Sequence, residues 1–120
     1  MSAEADMVAM LRADYGVQLL VGGRVFLNAA DESTPAPYVV VTASHTPTYG
    51  LSGALLVDLV SFTLACWGSS ADQAELVGDA VQSLIDNASP VLELQVKLRS
   101  GGFDGQTTMD VSVLTVERFL

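Results

Sequence analysis

The sequence is poor in the residues that build reaction centres and covalent links. It contains one cysteine, Cys66, and one histidine, His45. A single cysteine excludes an internal disulfide and fits a reducing compartment, and one His with one Cys cannot fill a tetrahedral metal site. Cys66 falls on the apolar side of a strand pattern, and His45 falls in a Pro- and Thr-containing loop, so packing and solvation are the expected roles. A Cys/His catalytic pair is disfavoured, and no cofactor or metal is predicted.

Basic residues are also scarce. Five stand against 14 acidic residues, which gives a net charge of −9 and a pI near 4.1. Nucleic acids are held by Lys and Arg that neutralise phosphates, so a DNA-gripping role is disfavoured. Neither a GxGxxG nor a GxxxxGKS motif is present, and Gly22 and Gly23 before Arg24 predict a turn.

Long apolar runs are missing as well. None approaches the roughly 20 residues of a membrane span, so a soluble protein is expected. Glu4 and Asp6 near the start, in place of a basic leader, argue against a secretory signal. Half of the residues are nevertheless apolar, which fits either a rich core or apolar surface covered by partner subunits. The 120 residues are long enough for one core, so residues 1–120 are predicted to form a single domain.

The clearest structural signal in the sequence is a strand that leads directly into a helix. Residues 60–66 alternate between large apolar and small or polar side chains, which predicts a half-buried strand. Trp67 ends it, and Ser70 with Gln73 forms a capping-box pattern that starts a helix near Ala71. Apolar residues at helical spacing form one stripe that can pack on a sheet: Val77, Ala80, Val81, Leu84, Ile85 and Ala88. Residues 87–90 are predicted to close this helix.

The remaining elements follow from periodicity and turn residues. An N-terminal helix capped by Ser2 is predicted to stop at Gly16, with a further helical turn over residues 17–21. The predicted strands are residues 24–27, 38–43, a segment around 94–99 and 109–119. Loops are expected over residues 28–37 and 44–53, and a turn over 100–105. The result is an α+β fold with an antiparallel-rich sheet of about five strands, an N-terminal helix and one long helix packed on it, and a C-terminal β-hairpin.

Several other features have alternative interpretations. Asp72, Glu75 and Asp79 share one helix near its N-terminus, where a solvated acidic face is a better explanation than a general acid/base pair. Trp67 is expected to be a packing residue or an interface anchor. Gly78 inside the helix costs about 1 kcal/mol relative to Ala, which indicates either close approach to a strand or neighbour, or simple tolerance.

The order of these signals resembles the tail-completion, or tail-terminator, proteins of long-tailed phages and prophages. After an N-terminal helix, the resemblance rests on LLVGGRVF at residues 19–26, PAPYVVV at 35–41, SFTLACWGSS at 61–70, a helix of the ADQAELVGDAVQSLID kind at 71–86 and a closing hairpin. It covers nearly the whole chain, although no single motif in it is specific.

The resemblance implies a virion protein without catalysis or cofactors. Such subunits look like wedges that close into a homohexameric ring on the head-proximal end of the tail tube, after assembly in the bacterial host cytoplasm. The ring stops addition of tube subunits and docks the head connector. Its implied partners are further copies of itself, the tube protein and the connector or neck protein, with DNA only in transit and no membrane.

Interface and bore residues are predicted on that basis. The loops at residues 44–53 and 100–107 are expected to dock, and Lys97 and Arg99 are expected to pair with the acidic helix across subunits. The candidate interface residues are Thr48, Tyr49, Leu51, Trp67, Lys97, Arg99 and Phe103. Six copies would carry 6 × −9 = −54 formal charges, and acidic side chains in the bore would keep DNA from sticking. The candidate bore residues are Asp31, Glu32, Asp72, Glu75 and Asp79.

Two other interpretations stay open. A neck or head-completion adaptor shares the ring geometry and differs in what it contacts. A small oligomeric ligand-binding or regulatory α+β domain would belong to a different class. A minimal enzyme is disfavoured by the shortage of His, Cys and Lys.

Overall fold

The structure is a computed structural model that describes residues 3–30, 34–53, 55–92, 94–105 and 109–119. Its elements in chain order are α1 (Ala3–Ala13), α2 (Tyr15–Val21), β1 (Val25–Leu27), β2 (Tyr38–Tyr49), β3 (Leu55–Gly68), α3 (Ala71–Leu92), β4 (Gln95–Asp104) and β5 (Met109–Phe119). The predicted Ser2 cap lies outside the described residues.

The five strands form one sheet in the order β1-β2-β3-β5-β4. β2, β3, β5 and β4 pair antiparallel, whereas β1 runs parallel to β2. The predicted α+β class and antiparallel-rich sheet are confirmed, with the refinement that the sheet is mixed. A parallel neighbour needs a crossover connection, and the segment between β1 and β2 supplies it.

The core lies between the sheet and its helices. α3 packs on β3, β5 and β4, while α1 packs on β1 and β2. The predicted inward residues of β3 are all buried: Val60, Phe62, Leu64 and Cys66. Of the predicted stripe of α3, Val77, Val81 and Ile85 are buried, and Ala80, Leu84 and Ala88 are partly buried against the core. Each large apolar side chain removed from water in this way contributes about 1.5–3 kcal/mol. The described helices cover this face of the sheet and leave the other uncovered.

α3 begins where the capping pattern predicts. The Ser70 hydroxyl accepts the N–H of Gln73 at 3.2 Å, and the Gln73 side chain accepts the N–H and hydroxyl of Ser69 at 2.7 and 2.9 Å. The reciprocal bond therefore reaches Ser69 and not the capping residue itself. The predicted end near residues 87–90 is wrong, because the helix continues to Leu92. Packing of a long helix on a sheet outweighs the backbone hydrogen bond that Pro90 removes.

The N-terminal helix does not stop at Gly16. α1 ends at Ala13, and Asp14 caps a separate helix by accepting the N–H of Val17 at 3.0 Å. Gly16 lies inside α2, where Asp14 supplies the start signal that the sequence analysis missed. The predicted helical turn before Gly22 is confirmed, and Gly22 ends it in the left-handed conformation, with φ of 60°.

The predicted loop at residues 44–53 is wrong for most of its length, because β2 continues to Tyr49. β1 pairs only with residues 39–41 of β2. Pro47 therefore lies where β2 has a partner on one side only, and its missing N–H disrupts no ladder on the other. β5 ends at Phe119 opposite Leu59, so residues 47–49 and 55–58 form a two-stranded extension of the sheet. We call the described residues 47–53 and 55–58 the hairpin arm.

A bulge in β4 corrects two further predictions. Val96 pairs with Val116 and Leu98 with Thr115, so Lys97 is an extra residue in the ladder. One extra residue reverses the faces of the side chains that follow. Leu98 is consequently 61% exposed and not in the core, while Arg99 turns towards α3. The predicted turn at residues 100–105 is also shorter, because β4 continues to Asp104.

Candidate interaction surfaces

The uncovered face of the sheet carries an uncharged patch. Side chains alternate along each strand, so the neighbours of the buried residues point to this face. Three rows across β2, β3, β5 and β4 follow from the register. They are Tyr38, Trp67, Val111 and Gly102; Val40, Ala65, Val113 and Ser100; and Thr42, Thr63, Thr115 and Leu98. These twelve residues, none of them charged, are called the outer sheet patch.

Aromatic side chains lie at one end of this patch. Trp67 is half-buried and stacks on Tyr38, with ring centroids 6.3 Å apart, and Tyr38 meets Phe26 edge to face at 6.2 Å. Burial raises the pKa of the Tyr38 phenol, and the carboxylate of Asp104 adds to the rise. Trp67 therefore packs within its own chain on a face that stays uncovered, which agrees with both interpretations of it. Tyr38 itself is buried by these contacts, whereas Leu98 at the other end of the patch is exposed; no sequence pattern predicted either feature.

The hairpin arm presents apolar side chains at its tip. Tyr49 is 61% exposed and Leu51 is fully exposed. The backbone of Thr48 lies in β2, and its side chain is outside the described part. An isolated two-stranded hairpin is marginally stable in water, so this arm depends on its junction with the sheet and offers a contact surface beyond it.

Phe103, from the second predicted docking segment, lies at the other end of the sheet. Its side chain is 63% exposed, and it borders an open groove with Ala74, Glu75, Gly101 and Val111. The register places Gly102 in the row of Tyr38, whereas the arm begins beyond Leu59. The two sets of exposed apolar residues thus occupy opposite ends of a molecule 50 Å long.

Arg99 joins the acidic helix within its own chain. Its guanidinium donates to Glu75 and contacts Asp79, each at 2.8 Å, and it donates to the Gln82 side chain, also at 2.8 Å. The acidic partner expected for Arg99 is therefore present in the same subunit, and pairing across subunits stays a prediction. The bulge at Lys97 aims Arg99 at α3, which a strict two-residue alternation could not reveal. Lys97 itself is exposed.

Gly78 marks close approach between α3 and the sheet. A Cβ on Gly78 would lie 2.7 Å from Ser112 Oγ and 2.9 Å from Arg99 Nη2. The first of the two interpretations of Gly78, close approach to a strand, is confirmed. Ser112 is buried, and its hydroxyl has no hydrogen-bond partner in the described part of the chain. A mid-helix glycine signals this site in the sequence, but Ser112 and Gln82 give no signal of their own.

The predicted bore residues are only partly placed. Asp31 and Glu32 lie outside the described residues. Asp72 is exposed in the first turn of α3, where the helix dipole favours a carboxylate. Glu75 and Asp79 are more than half exposed but share Arg99 as a partner. The structure therefore brings Glu75 and Asp79 together as one cluster around Arg99, and a place for this cluster in the bore stays a prediction.

Cys66 and His45 are placed far apart. The register puts Cys66 beside Val39, whereas His45 pairs with Val60, six residues along the strands or about 20 Å. Burial raises the pKa of the Cys66 thiol to about 12, with Arg99 opposing and Glu75 adding to the rise. His45 lies in a strand, not in the predicted loop, and its Nε2 is 3.0 Å from an oxygen of Glu4.

The described part of the chain contains half-open cavities of different sizes. A space of about 40 Å³ lies between α1 and the sheet, where Met7, Met10, Phe62 and Leu94 line it, and the groove beside Phe103 measures about 390 Å³. Small-molecule sites usually occupy about 300–1,000 Å³. Within the same described residues, no cluster of three His, Cys, Asp or Glu side chains could share a metal ion, and no helix is long and apolar enough to cross a membrane.

These features define a small α+β domain with an uncharged patch on one sheet face and exposed apolar side chains at both ends. The family model of the tail completion protein gp17 matches residues 5–117. The chain belongs to this family and has a structural tail-completion role, as the resemblance implied.

A solved structure supports the fold. A chain of the "Virion of native gene transfer agent (GTA) particle" matches with a TM-score of 0.75 and 16% sequence identity, over 99% of this chain and 98% of that one. At that identity the likeness demonstrates a shared fold. Comparison with curated proteins gave no match.

Proposed function

We propose that this tail-completion protein is the tail terminator. Six copies close into a ring on the head-proximal end of the tail tube, stop the addition of tube subunits and dock the head connector. Assembly takes place in the bacterial host cytoplasm, and the protein acts through shape without a catalytic step. The observation that carries the proposal is the family match over residues 5–117.

Placement of the exposed apolar residues supports this role. A ring closes through a heterologous interface, in which each subunit offers two different surfaces. Tyr49 and Leu51 are exposed at one end and Phe103 at the other, so these two ends would serve as such surfaces. A terminator must also bind the tube on one side and refuse another tube ring on the other, and a molecule whose ends differ can do so.

Charge supports passage of DNA without binding. The acidic side chains of α3 lie on the helix layer, opposite the outer sheet patch. A bore lined by this layer would repel the phosphate backbone of DNA, because carboxylates and phosphates are both negatively charged. Carboxylates also lack the cationic groups through which Lys and Arg bind phosphates. The exposed Asp72 at the start of α3 is the first candidate for such a lining, since Glu75 and Asp79 are partly neutralised by Arg99.

The alternatives make different contacts. A neck or head-completion adaptor would join tails to heads without setting tail length. A ligand-binding regulatory domain needs a pocket, and the groove of about 390 Å³ beside Phe103 has the volume of a small-molecule site, but the family match over residues 5–117 favours a structural role. The first alternative therefore competes with the terminator more closely than the second.

Omission of the protein during particle assembly tests the proposal. Tail length is measured by electron microscopy in particles made with and without the intact gene. Tails that grow beyond their normal length support the terminator. Tails of normal length that fail to join heads overturn it in favour of the adaptor, and normal tails that join heads normally overturn both.

A further inference from the structure

We propose that β4 takes an added strand from a basic segment of another virion protein, and that a Lys or Arg side chain of this segment enters the groove beside Phe103. The inference goes beyond the terminator role, because it names the chemistry of a partner and holds for an adaptor as well. Three features carry it: the edge of β4, the space above Gly101 and the carboxylates around that space.

The outer edge of β4 can accept another strand. In the described part of the chain, β4 is the last strand of the sheet, and an edge strand presents backbone N–H and C=O groups that can pair with another chain. Lys97 and the bulge protect the beginning of this edge. Residues 98–104 follow in unbroken register, and Gly101 and Gly102 place no side chain in the path of an approaching backbone. A partner backbone can therefore reach β4 beyond its bulge.

The groove beside Phe103 has room for a long side chain. Its volume is about 390 Å³, and a Cβ on Gly101 would meet Glu75 Oε1 and the Val111 carbonyl oxygen no closer than 3.8 Å. An added strand would lie about 4.8 Å from β4, with alternate side chains on the helix side of the sheet. The side chain beside Gly101 would thus point into the groove, along Ala74 and the exposed Phe103 ring.

Carboxylates make this groove favourable for a cation. Glu75 and Asp110 line it, and Asp72 and Asp79 recur on the side of α3 that carries Glu75. Against these four carboxylates Arg99 supplies one positive charge, which leaves −4 + 1 = −3. A Lys or Arg side chain suits both parts of the groove, because its stem is apolar and its head is cationic. An aromatic ring such as that at the rim adds cation–π attraction.

A second copy of this chain offers no basic segment. Its five basic residues are scattered, and no two are adjacent in the sequence. Arg12, Arg24 and Arg99 already donate to acceptors of their own chain. Lys97 lies on the same strand as the groove, so reciprocal pairing of two β4 edges through it would close a two-fold pair and not a ring. Two chains of net charge −9 also repel each other, whereas a basic segment is attracted.

Titration of the full chain with peptides tests the site. The probe is a short capped peptide of alternating Lys and Val, which presents Lys on one face of a strand. In NMR spectra of the labelled chain, it should shift the amide signals of Ala74, Glu75 and residues 98–104, and its affinity should fall at about 1 M salt. A matched peptide with Glu in place of Lys should cause no such shifts. Spermidine, which has the charge without a peptide backbone, should bind far more weakly than the Lys peptide.

Variants of the groove separate its shape from its charge. Gly101→Val fills the space without a close contact at its Cβ, so the chain should fold and lose the shifts. Gly102→Val places the same side chain on the opposite face, 3.7 Å from Val111 Cγ1, and should keep them. Asp110→Asn should raise the Kd about threefold, as expected for one partly exposed ion pair. Asp86→Asn, which changes the net charge equally at an exposed position of α3, should leave the Kd unchanged.

Several results of these titrations would overturn the inference. They are the absence of shifts with the Lys peptide, equal affinity for spermidine, binding that survives Gly101→Val, and equal weakening by Asp86→Asn and Asp110→Asn.

Photo-cross-linking in assembled particles identifies the natural occupant. A benzophenone amino acid replaces the exposed Phe103, and mass spectrometry sequences the linked peptide. A segment rich in Lys or Arg from another virion protein supports the inference. A second copy of this chain, an acidic or uncharged segment, or no cross-link overturns it.

Tail length in the same particles separates this inference from the proposed function. Loss of length control on omission of the protein, without the expected cross-link, leaves the terminator in place and removes only the docking site. The expected cross-link in a system whose tails keep their length without the protein leaves the docking site in place and removes the terminator.

Discussion

Replacing Gly78 with alanine should destabilise the chain, although the same change in an open helix stabilises it by about 1 kcal/mol. The new Cβ would lie 2.7 Å from Ser112 Oγ, 3.2 Å from Ser112 Cβ and 2.9 Å from Arg99 Nη2. Overpacking of a filled core costs about 1–3 kcal/mol. Subtracting the gain in helix propensity leaves a net cost of about 1 kcal/mol. For 120 residues, this lowers Tm by about 4 °C.

Ser112→Ala separates the crowding from other effects. This change removes the oxygen nearest to the new Cβ, and it also removes a buried hydroxyl that has no partner in the described part of the chain. It should therefore stabilise the parent by about 1 kcal/mol. In the double variant, Gly78→Ala should cost less than it does alone, by about 1 kcal/mol of coupling.

Thermal unfolding followed by circular dichroism, together with urea titration, measures all four members of this cycle. Ser83→Ala, at an exposed position of the same helix, reports the effect of helix propensity without crowding. If Gly78→Ala instead raised Tm by about 4 °C and showed no coupling with Ser112→Ala, helix propensity alone would account for it. The close approach of α3 to β5 would then be refuted.

Two further perturbations test contacts of the same layer. Arg99→Leu leaves Glu75 and Asp79 without their cation and should lower the free energy of unfolding by about 1 kcal/mol. In urea titrations this loss of stability should shrink at about 1 M salt, where charges are screened. A loss that does not depend on salt would contradict the ion pairs. Because the Cys66 pKa rises to about 12 in the folded state, the unfolded chain binds fewer protons above pH 9. Stability should therefore fall by about 1.4 kcal/mol per pH unit between pH 9 and 11, and Cys66→Val, measured by pH-dependent urea titration, should lose that component.

Local patterns in the sequence predicted the centre of the fold. The alternation over residues 60–66 and the stripe of α3 correspond directly to burial, because a central strand and a long helix each meet the core along their whole length. Ser70 and Gln73 predicted the helix start, because capping involves only neighbouring residues. The class of protein followed from the order of these units.

The wrong predictions concern segments whose structure is set by backbone pairing with residues distant in the sequence. Pro47 reads as a loop residue, but the short β1 leaves its side of β2 unpaired. Gly101 and Gly102 read as a turn, but their backbone pairs with Ser112 and Val111 in the ladder. In both places, backbone pairing to another strand overrides local preference.

The bulge at Lys97 shows how one pairing event changes a surface. Leu94, Val96 and Leu98 alternate in the sequence as if all three faced the core, and the first is indeed buried. An extra residue at position 97 sends Leu98 outwards to the outer sheet patch and Arg99 inwards to α3. The same event thus completes an uncharged surface and partly neutralises the acidic one. A sequence pattern contains no signal for it, because bulges are defined against the partner strand.

Pairing within the chain also lowers the charge that α3 presents. Around Arg99, two carboxylates and one guanidinium leave a local charge of −2 + 1 = −1, so this cluster would repel DNA less than its sequence implies. Repulsion in the bore would then depend more on Asp72 than on the Arg99 cluster.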